Sequence, residues 1–367
     1  MKKIFTLISL TLLVYFNSNK NSFAQENYSK VWDLTFGGNN ADILQIHRST
    51  KDGGYILGGT SNSPVSGSKS VACKGNQDFW IIKVDAAGNK QWDKTIGGSG
   101  FDFLQDLQPT TDGGYILAGT SDSPVSGDKT AAASGKFDYW VVKVDASGNK
   151  VWDKMYGGSN NDYLKVIRLT TDGGYILGGS SDSPVSGKTG FNKTAAQVGE
   201  NDYWVVKIDA TGNKKWDKTF GGSSFDFLQD VQPTTDGGYL FGGQSYSGAN
   251  GSKSAASKGF GDYWIIKTDV DGTKQWDKTF GGSLDEALVG ILPTKDNGYV
   301  LGGISKSGIT GDKTVASKGF GDYWMVKIDA TGNKKWDKTI GGSNNDYLQV
   351  ITSTNDGGIL LGGTSNS

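Results

Sequence analysis

Short runs of apolar, β-branched and aromatic residues alternate along the chain with turns rich in glycine, asparagine and aspartate. A representative stretch predicts four strands, at residues 103–108, 115–120, 139–144 and 150–156. The Asp-Gly-Gly run at 112–114 and the run at 145–149 predict tight turns, because glycine accepts positive φ and aspartate bonds to its own backbone. A long Ser/Gly/Pro segment joins the second and third strands. The pattern indicates a four-stranded antiparallel meander.

The sequence of this meander is repeated along the chain. Trp-Asp pairs recur at intervals of 60, 60, 64, 60 and 60 residues, beginning at Trp32, Trp92, Trp152, Trp216, Trp276 and Trp336. A second series accounts for the rest of the 11 tryptophans, at Trp80, Trp140, Trp204, Trp264 and Trp324. Their recurrence in every unit favours packing between units over sugar stacking at one site. Helical solenoids have shorter periods and more helix-forming residues. Such units bury both faces when stacked radially, so we predict an all-β fold, a β-propeller of four-stranded antiparallel blades. A β-solenoid and a string of small β-domains are the alternatives.

The period divides the chain into five complete blades and a partial sixth. We predict a repeat domain over residues 25–367, with blades at about 37–96, 97–156, 157–220, 221–280 and 281–340, and a partial blade at 341–367. The N-terminal strand at 31–36 is a fourth strand without a blade of its own, and we expect it to close the partial blade. That blade lacks a third strand, so we interpret the chain as a fragment. A six-bladed ring with one defective blade and a longer seven-bladed parent are the alternatives.

The first 24 residues read as a targeting segment. Lys2 and Lys3 precede a mostly apolar stretch at 4–16, and the run 22–24 is a small-x-small cleavage signal. We therefore predict a cleaved signal peptide at 1–24 and a secreted or cell-surface protein. The apolar stretch is too short to span a bilayer comfortably, so no membrane span is expected. A membrane anchor is the alternative interpretation of this segment. A lone Cys73 forms no internal disulfide, so packing must supply the stability.

Composition narrows the function classes. The 367 residues include 37 basic and 38 acidic side chains, for a net charge of −1. This balance gives no electrostatic reason to expect a nucleic-acid partner. A single histidine (His47) and a single cysteine exclude most metal and nucleophile chemistries. We predict no catalytic residue and no enzyme, and expect a monomer.

Two runs resemble a known family. Residues 152–164 carry a strand ending in Gly-Gly-Ser with an Asp soon after, and residues 172–180 carry Asp-Gly-Gly, a strand and Gly-Gly-Ser. Repeated over about 31–367, these runs resemble the bacterial secreted β-propeller repeat called SBBP. The resemblance implies an exported or surface protein with a propeller fold and no agreed enzymatic activity. The leader and the composition also look like those of proteins exported by Bacteroidetes, although no type IX sorting domain is visible.

An enzyme is the principal competing interpretation. The hairpin at 144–152 resembles the tryptophan-docking hairpin of quinoprotein propellers, which would imply a quinone cofactor. Such enzymes need a pocket of unique polar residues, and near-identical blades with one cysteine offer none. We therefore predict no cofactor, while an enzyme or cofactor-binding propeller with a central-channel site stays as an alternative. A purely structural repeat region of a longer surface protein is another.

Blade geometry places the long second-to-third loops and the Gly-Gly-Ser connections on one rim. Function usually lies on variable loops carried by a rigid scaffold, so this rim is the candidate face for binding a surface protein or a glycan. Its loops are residues 61–77, 121–137, 181–201, 245–261 and 305–321, and a four-residue insertion near 190–198 breaks the symmetry. The competing interpretation is that the loops are solvated connections.

Two series of carboxylates fall on the same rim. One heads every first strand: Asp42, Asp102, Asp162, Asp226, Glu286 and Asp346. The other heads every third strand: Asp78, Asp138, Asp202, Asp262 and Asp322. The first series is the candidate metal site, because a ring of oxygens suits Ca²⁺. The alternative is that each carboxylate accepts N–H bonds from its own Gly-rich turn, since residues repeated in every blade tend to serve the blade.

Two smaller features carry weaker hypotheses. Asp269 and Asp271 stand at alternating places in a turn that resembles a calcium loop, but the distal bidentate Glu is missing and a hairpin turn is the preferred interpretation. His47, beside Arg48 on the first strand, has no cysteine or carboxylate constellation that would make it catalytic.

Overall fold

The computed structural model describes residues 32–185, 192–354 and 356–366. These residues contain β-strands and no α-helix. They form five four-stranded antiparallel sheets, each made of four consecutive strands, followed by a two-stranded sheet. Each sheet is called a blade below and numbered along the chain. The predicted meander is confirmed in all five complete units.

The strands have nearly constant lengths from one blade to the next. Blade 1 contains β1 (Asp42–Ser49), β2 (Tyr55–Ser61), β3 (Asp78–Val84) and β4 (Lys90–Ile96). Blade 2 contains β5 (Asp102–Pro109), β6 (Tyr115–Ser121), β7 (Asp138–Val144) and β8 (Lys150–Tyr156). Blade 3 contains β9 (Asp162–Leu169), β10 (Tyr175–Ser181), β11 (Asp202–Ile208) and β12 (Lys214–Phe220). Blade 4 contains β13 (Asp226–Pro233), β14 (Tyr239–Ser245), β15 (Asp262–Thr268) and β16 (Lys274–Phe280). Blade 5 contains β17 (Glu286–Pro293), β18 (Tyr299–Ser305), β19 (Asp322–Ile328) and β20 (Lys334–Ile340), and blade 6 contains β21 (Asp346–Ser353) and β22 (Ile359–Ser365).

The blades stack radially about their first strands. The first strand of each blade contacts the first strand of the next, from β1 through to β21. The third strands of the complete blades are buried along their whole length. A central strand with both faces covered carries a continuous apolar run, as these do. The chain is an all-β propeller of repeated four-stranded antiparallel sheets.

Aromatic contacts between neighbouring blades make up much of the core. Trp140 of blade 2 lies against Phe79 of blade 1, with ring centroids 4.9 Å apart. Equivalent tilted pairs join the later blades at 4.6–5.0 Å, namely Tyr139–Trp204, Tyr203–Trp264 and Tyr263–Trp324. These third-strand tryptophans pack between blades, as predicted. The four hydrophobic clusters between complete blades each contain residues of two neighbouring blades.

The turn between the first and second strands has a conformation that selects its residues. Gly113 and Gly173 adopt φ of 85° and 80°, in the left-handed region. Blade 5 reads Asp-Asn-Gly there, and Asn297 adopts φ of 58° at the same place. Asparagine tolerates this region better than most other residues, so the turn is kept.

The described residues of the closing strand predicted at 31–36, residues 32–36, do not form a strand. Residues 32–38 lie in no strand, and β21 and β22 pair only with each other. Fourth strands pair with third strands throughout the fold, and blade 6 has no third strand for 31–36 to join. The segment lies instead against blade 1, where Trp32 packs on Tyr55 at 6.1 Å, as Trp92 packs on Tyr115.

Some predicted features lie outside the described residues. The predicted signal peptide at 1–24 is one, and residues 186–191, which include the start of the loop insertion, are another. In the described part of the chain, no helix is long and apolar enough to cross a membrane.

Candidate functional site

The two carboxylate series and the long loops share one rim, as predicted. In blade 2, Asp102 is opposite Ser121, and Ser121 is opposite Asp138. The start of the first strand, the end of the second and the start of the third therefore lie side by side. The same register recurs in the other complete blades. We call this face the long-loop rim.

The six first-strand carboxylates are each bonded within their own part of the rim. Each accepts the backbone N–H of the glycine four residues earlier, at 2.6–2.8 Å. In blades 1 to 4 the same oxygen also accepts a serine hydroxyl at 2.8–3.0 Å, and Glu286 accepts Ser305 Oγ at 2.7 Å. The residues that do this are Asp42, Asp102, Asp162, Asp226, Glu286 and Asp346. These bonds connect the Gly-Gly-Ser segment to the long loop.

The third-strand carboxylates lie beside the first-strand carboxylates of the next blade. Asp138 Oδ2 accepts the N–H groups of Ser134 and Gly135, whereas Asp138 Oδ1 is buried without a hydrogen bond. Burial is the main cause that raises the pKa of Asp138 to about 7. The bond from Ser134 opposes that rise, and the charge of Asp162 adds to it. Burial likewise raises the pKa of Asp78 and of Asp262 to about 6.

A buried lysine accompanies the carboxylates of each complete blade. The five side chains are 1–3% exposed: Lys69, Lys129, Lys193, Lys253 and Lys313. In blade 4 the ammonium of Lys253 donates to Ser245 Oγ at 2.8 Å and to Ser257 Oγ at 2.7 Å. Burial lowers the pKa of Lys253 to about 8, and the charges of Asp226 and Asp262 oppose that shift. The lysine therefore supplies a cation among the carboxylates.

These contacts bear on the calcium hypothesis without testing it. The carboxylates are spread one to a blade along the rim, and each has protein donors. Among the described residues, no group of three or more His, Cys, Asp or Glu side chains is placed to hold a metal ion. The geometry matches the alternative in which each carboxylate bonds to its own turn, and calcium binding stays a prediction.

The raised carboxyl pKa values give a testable pH dependence. Asp138 holds its proton more tightly in the folded chain than in the unfolded chain, where its pKa is about 3.9. The folded state therefore binds more protons between about pH 4 and pH 7, and its stability falls as pH rises through that range. We expect a higher melting temperature near pH 5 than near pH 8.

The variant Asp138→Asn should reduce the difference in melting temperature between pH 5 and pH 8, because its neutral amide does not titrate. Exposed Asp271→Asn is the matched control and should leave the difference unchanged. Thermal melts across this pH range measure both. A melting temperature that is flat or rises from pH 5 to pH 8 would contradict the assignment.

An aromatic row crosses the long-loop rim between blades 2 and 3. Phe101 stacks on Phe103 with centroids 5.7 Å apart, and Phe103 lies 6.1 Å from Phe137. Phe137 in turn lies 5.9 Å from Tyr163. The end rings are exposed, Phe101 at 37% and Tyr163 at 46%. These four residues are called the aromatic row below.

Phe137 makes the row specific to this junction. Its carbonyl accepts the N–H of Asp162 at 2.6 Å, which fixes it beside Tyr163. The other blades make the same backbone bond from a residue without an aromatic ring, namely Gln77, Asn201, Gly261 and Gly321. The related pair Phe225–Phe227 between blades 3 and 4 is not extended in this way.

A ladder of alternating arginine and aspartate links the first strands of blades 1 to 4. Arg48 donates to Asp106 at 2.9 Å, and Arg168 donates to Asp106 at 2.6 Å and to Asp230 at 2.7 Å. Each aspartate also accepts a backbone N–H of the following blade, Ile167 for Asp106 and Ile291 for Asp230. The ladder joins the first strands, and its charges compensate one another.

The remaining sequence candidates occupy ordinary structural places. His47 is exposed on β1, where the other complete blades carry a buried aliphatic side chain. Cys73 is half-buried and donates from its Sγ to Ser61 O at 2.8 Å. Asp269 accepts the N–H groups of Asp271 and Thr273 within a hairpin turn.

A cavity of about 250 Å³ lies between blades 1 and 2, toward the fourth strands. Three lysines among its lining residues are already bonded: Lys74 to Asp128, Lys94 to Asn149 and Lys150 to Asp153. This cavity therefore offers weaker ligand chemistry than the long-loop rim.

Comparisons with known proteins place the chain only broadly. No family model matches it. It is 24% identical over 291 residues to the regulatory protein FlaEY of Caulobacter vibrioides. That match covers 73% of this chain and 30% of FlaEY, so the chain spans less than a third of that relative's length.

Similar solved structures are distant in sequence. A protein of unknown function from Bacteroides caccae has 11% identity and a TM-score of 0.41, covering 84% of each chain. One from Dyadobacter fermentans has 12% identity and a TM-score of 0.46, covering 87% of this chain and 93% of that one. The WD40 domain of Neurospora crassa Pan2 has 10% identity and a TM-score of 0.44, covering 88% and 90%. The propeller assignment stands on the sheet order and the packing between blades.

Proposed function

We propose that this protein is an exported, non-enzymatic propeller scaffold that binds a glycan through its long-loop rim. The observation that carries the proposal is the aromatic row between blades 2 and 3. Export and a place among secreted SBBP-type repeat proteins belong to the proposal too, and rest on the N-terminal sequence and on the repeat motif. The proposal requires no cofactor.

The aromatic row has the chemistry that sugar recognition needs. The C–H faces of a pyranose ring pack against the electron-rich faces of aromatic rings. Phe101 and Tyr163 are exposed at the two ends of the row, about a third to a half of each side chain being open to solvent. Phe103 lies on β5 and Tyr163 on β9, and the carbonyls of Phe101 and Phe137 accept backbone N–H groups, so little conformational entropy is lost when a ligand binds.

The row also breaks the symmetry of the blades, unlike the buried tryptophans. A residue present in every blade is explained by blade packing, but Phe137 occurs in one blade and is half-buried at the rim. Its ring packs against the rings of Phe103 and Tyr163. This is the pattern of a binding residue on a rigid scaffold.

Replacing Phe137 by alanine should weaken glycan binding by about tenfold or more, because the ring that bridges the two halves of the row is lost. The melting temperature should change little, since Phe137 lies at the rim. Binding to an immobilised glycan array, followed by calorimetry on the strongest hits, measures the effect.

Phe320→Ala is the matched control. Phe320 lies in a long loop of blade 5, is 73% exposed, and belongs to no aromatic row. The variant Phe320→Ala should leave glycan binding unchanged. Equal losses of affinity in both variants would show non-specific binding to the rim, and the absence of any glycan hit would overturn the proposal. If a protein binds and its binding depends on Phe137, the ligand of the rim is a protein and not a glycan.

A further inference from the structure

One lysine near the aromatic row has a charge that nothing around it compensates. Lys165 lies on β9, two residues after Tyr163. Among the described residues its ammonium makes no hydrogen bond and no ion pair. The side chain is exposed, yet burial by the surrounding strands lowers the pKa of Lys165, as expected for a side chain in a concavity.

Tyr163 and Lys165 are the two exposed residues of β9, and Asp162 and Leu164 beside them are buried. Lys165 is the extra residue of a β-bulge, because Leu164 lies opposite Gly179 and Val166 lies opposite Gly178. The bulge leaves Lys165 without a partner residue on β10. The exposed aromatic ring and the exposed cation are therefore separated along the strand by one buried residue.

The neighbouring first strands leave this charge unopposed. At the position of Lys165, β5 carries Gln105 and β13 carries Gln229, both neutral. The nearby carboxylates of the first strands, Asp106 and Asp230, are already bonded to arginines of the ladder. Amide side chains beside an uncompensated ammonium form a polar, cationic surface next to an apolar one.

We propose that the long-loop rim selects a carboxylated sugar, whose ring stacks on Tyr163 and whose carboxylate pairs with Lys165. This inference rests on the proposed function and names its ligand class. A partly desolvated charged hydrogen bond contributes about tenfold in affinity, more than an exposed surface pair does. Gln105 and Gln229 are available to bond sugar hydroxyls.

The test uses three acidic probes with matched neutral forms: a pentagalacturonate, a hyaluronan hexasaccharide and sialyllactose, each compared with its methyl ester. At least one acid should bind the wild-type protein about tenfold more tightly than its ester. Lys165→Gln should bring acid and ester within about twofold of each other while leaving the ester's affinity unchanged. Calorimetry measures all of these affinities.

Lys51→Gln is the matched control. Lys51 is an exposed lysine in the first turn, on the opposite rim, and its loss changes the net charge equally. It should preserve the preference for the acid. Acid and ester binding alike in the wild type, or an unchanged preference in Lys165→Gln, would overturn the inference and leave glycan binding standing.

Two further outcomes separate this inference from the proposed function. If glycans bind on the array but none of the acids is preferred, the carboxylated-sugar inference is wrong and glycan binding is retained. If no sugar binds at all, both proposals are wrong. If a polyglutamate peptide binds through Lys165 as tightly as the best acid, the ligand is an acidic protein segment and not a sugar.

Discussion

Asp153→Ala is expected to lower the free energy of unfolding by about 3 to 5 kcal/mol, the range for breaking a buried ionic network. Asp153 follows the tryptophan of the Trp-Asp pair on β8 and is 6% exposed. Its Oδ2 accepts the N–H groups of Thr130 and Ala131 and the indole N–H of Trp140, at 2.9–3.2 Å. Its Oδ1 pairs with Lys150 at 2.8 Å. Alanine leaves these buried donors without an acceptor.

The isosteric variant Asp153→Asn tests whether acceptors or volume matter. Asparagine has one acceptor oxygen, so in either orientation its NH2 group faces donors, either the N–H groups at the place of Oδ2 or the Lys150 ammonium at the place of Oδ1. This variant should therefore also lose more than about 2 kcal/mol. Exposed Asp271→Ala should stay within about 0.5 kcal/mol of the wild type. Chemical denaturation followed by tryptophan fluorescence reports all three. A small loss in Asp153→Ala would mean that the long loop is not held by this carboxylate.

The role of Asp153 illustrates what the sequence predicts and what it leaves out. The period of the Trp-Asp pairs sufficed to predict the blades, because strand periodicity and turn residues act locally. The partner of Asp153 is a loop 23 residues earlier, and no local rule indicates that pairing. The sequence does contain a repeated pattern at this place, because a buried lysine precedes a Ser or Thr in the long loop of every complete blade. Its meaning is clear only once the structure shows that this Ser or Thr bonds to the Asp of the Trp-Asp pair.

The candidate binding site was less predictable than the fold. The long loops were placed on one rim correctly, because strand direction fixes the rim. The aromatic row depends on Phe137 meeting Tyr163 across a blade junction, which needs the register between blades. The arginine–aspartate ladder likewise joins residues about 60 positions apart, at sites where alternate blades differ. Differences of this kind are hard to recognise in the sequence, because every blade has nearly the same local pattern and only a few positions differ between blades.

Gly157→Ala is expected to destabilise the protein by about 3 kcal/mol through steric overlap alone, at the upper end for overpacking. A Cβ on Gly157 would lie 2.0 Å from Asp138 Oδ1 and 2.5 Å from its Cγ. Asp138 is 0% exposed and its other oxygen is held by two backbone N–H groups, so it has little room to move. The equivalent glycine of every other complete blade junction shows the same overlap, at 1.8–2.4 Å.

Two glycine controls separate this overlap from other effects of a methyl group. Gly173 has φ of +80°, and a Cβ added there would meet nothing within 4 Å, so Gly173→Ala should cost only the backbone strain, about 1 kcal/mol. Gly308 is equally open and has no positive φ, so Gly308→Ala should be nearly neutral.

A double-mutant cycle of Gly157→Ala with Asp138→Ala then tests the cause directly. Removing the carboxylate makes room for the new methyl group, so the double variant should be more stable than the sum of the single losses predicts, by about 1 kcal/mol or more. Additive losses would place the damage in the Gly-Gly-Ser backbone instead. If the two losses are not additive, the Asp and the Gly of each blade junction pack as one unit. The fit between the carboxylate and the glycine is then sufficient to explain why both residues recur in every blade.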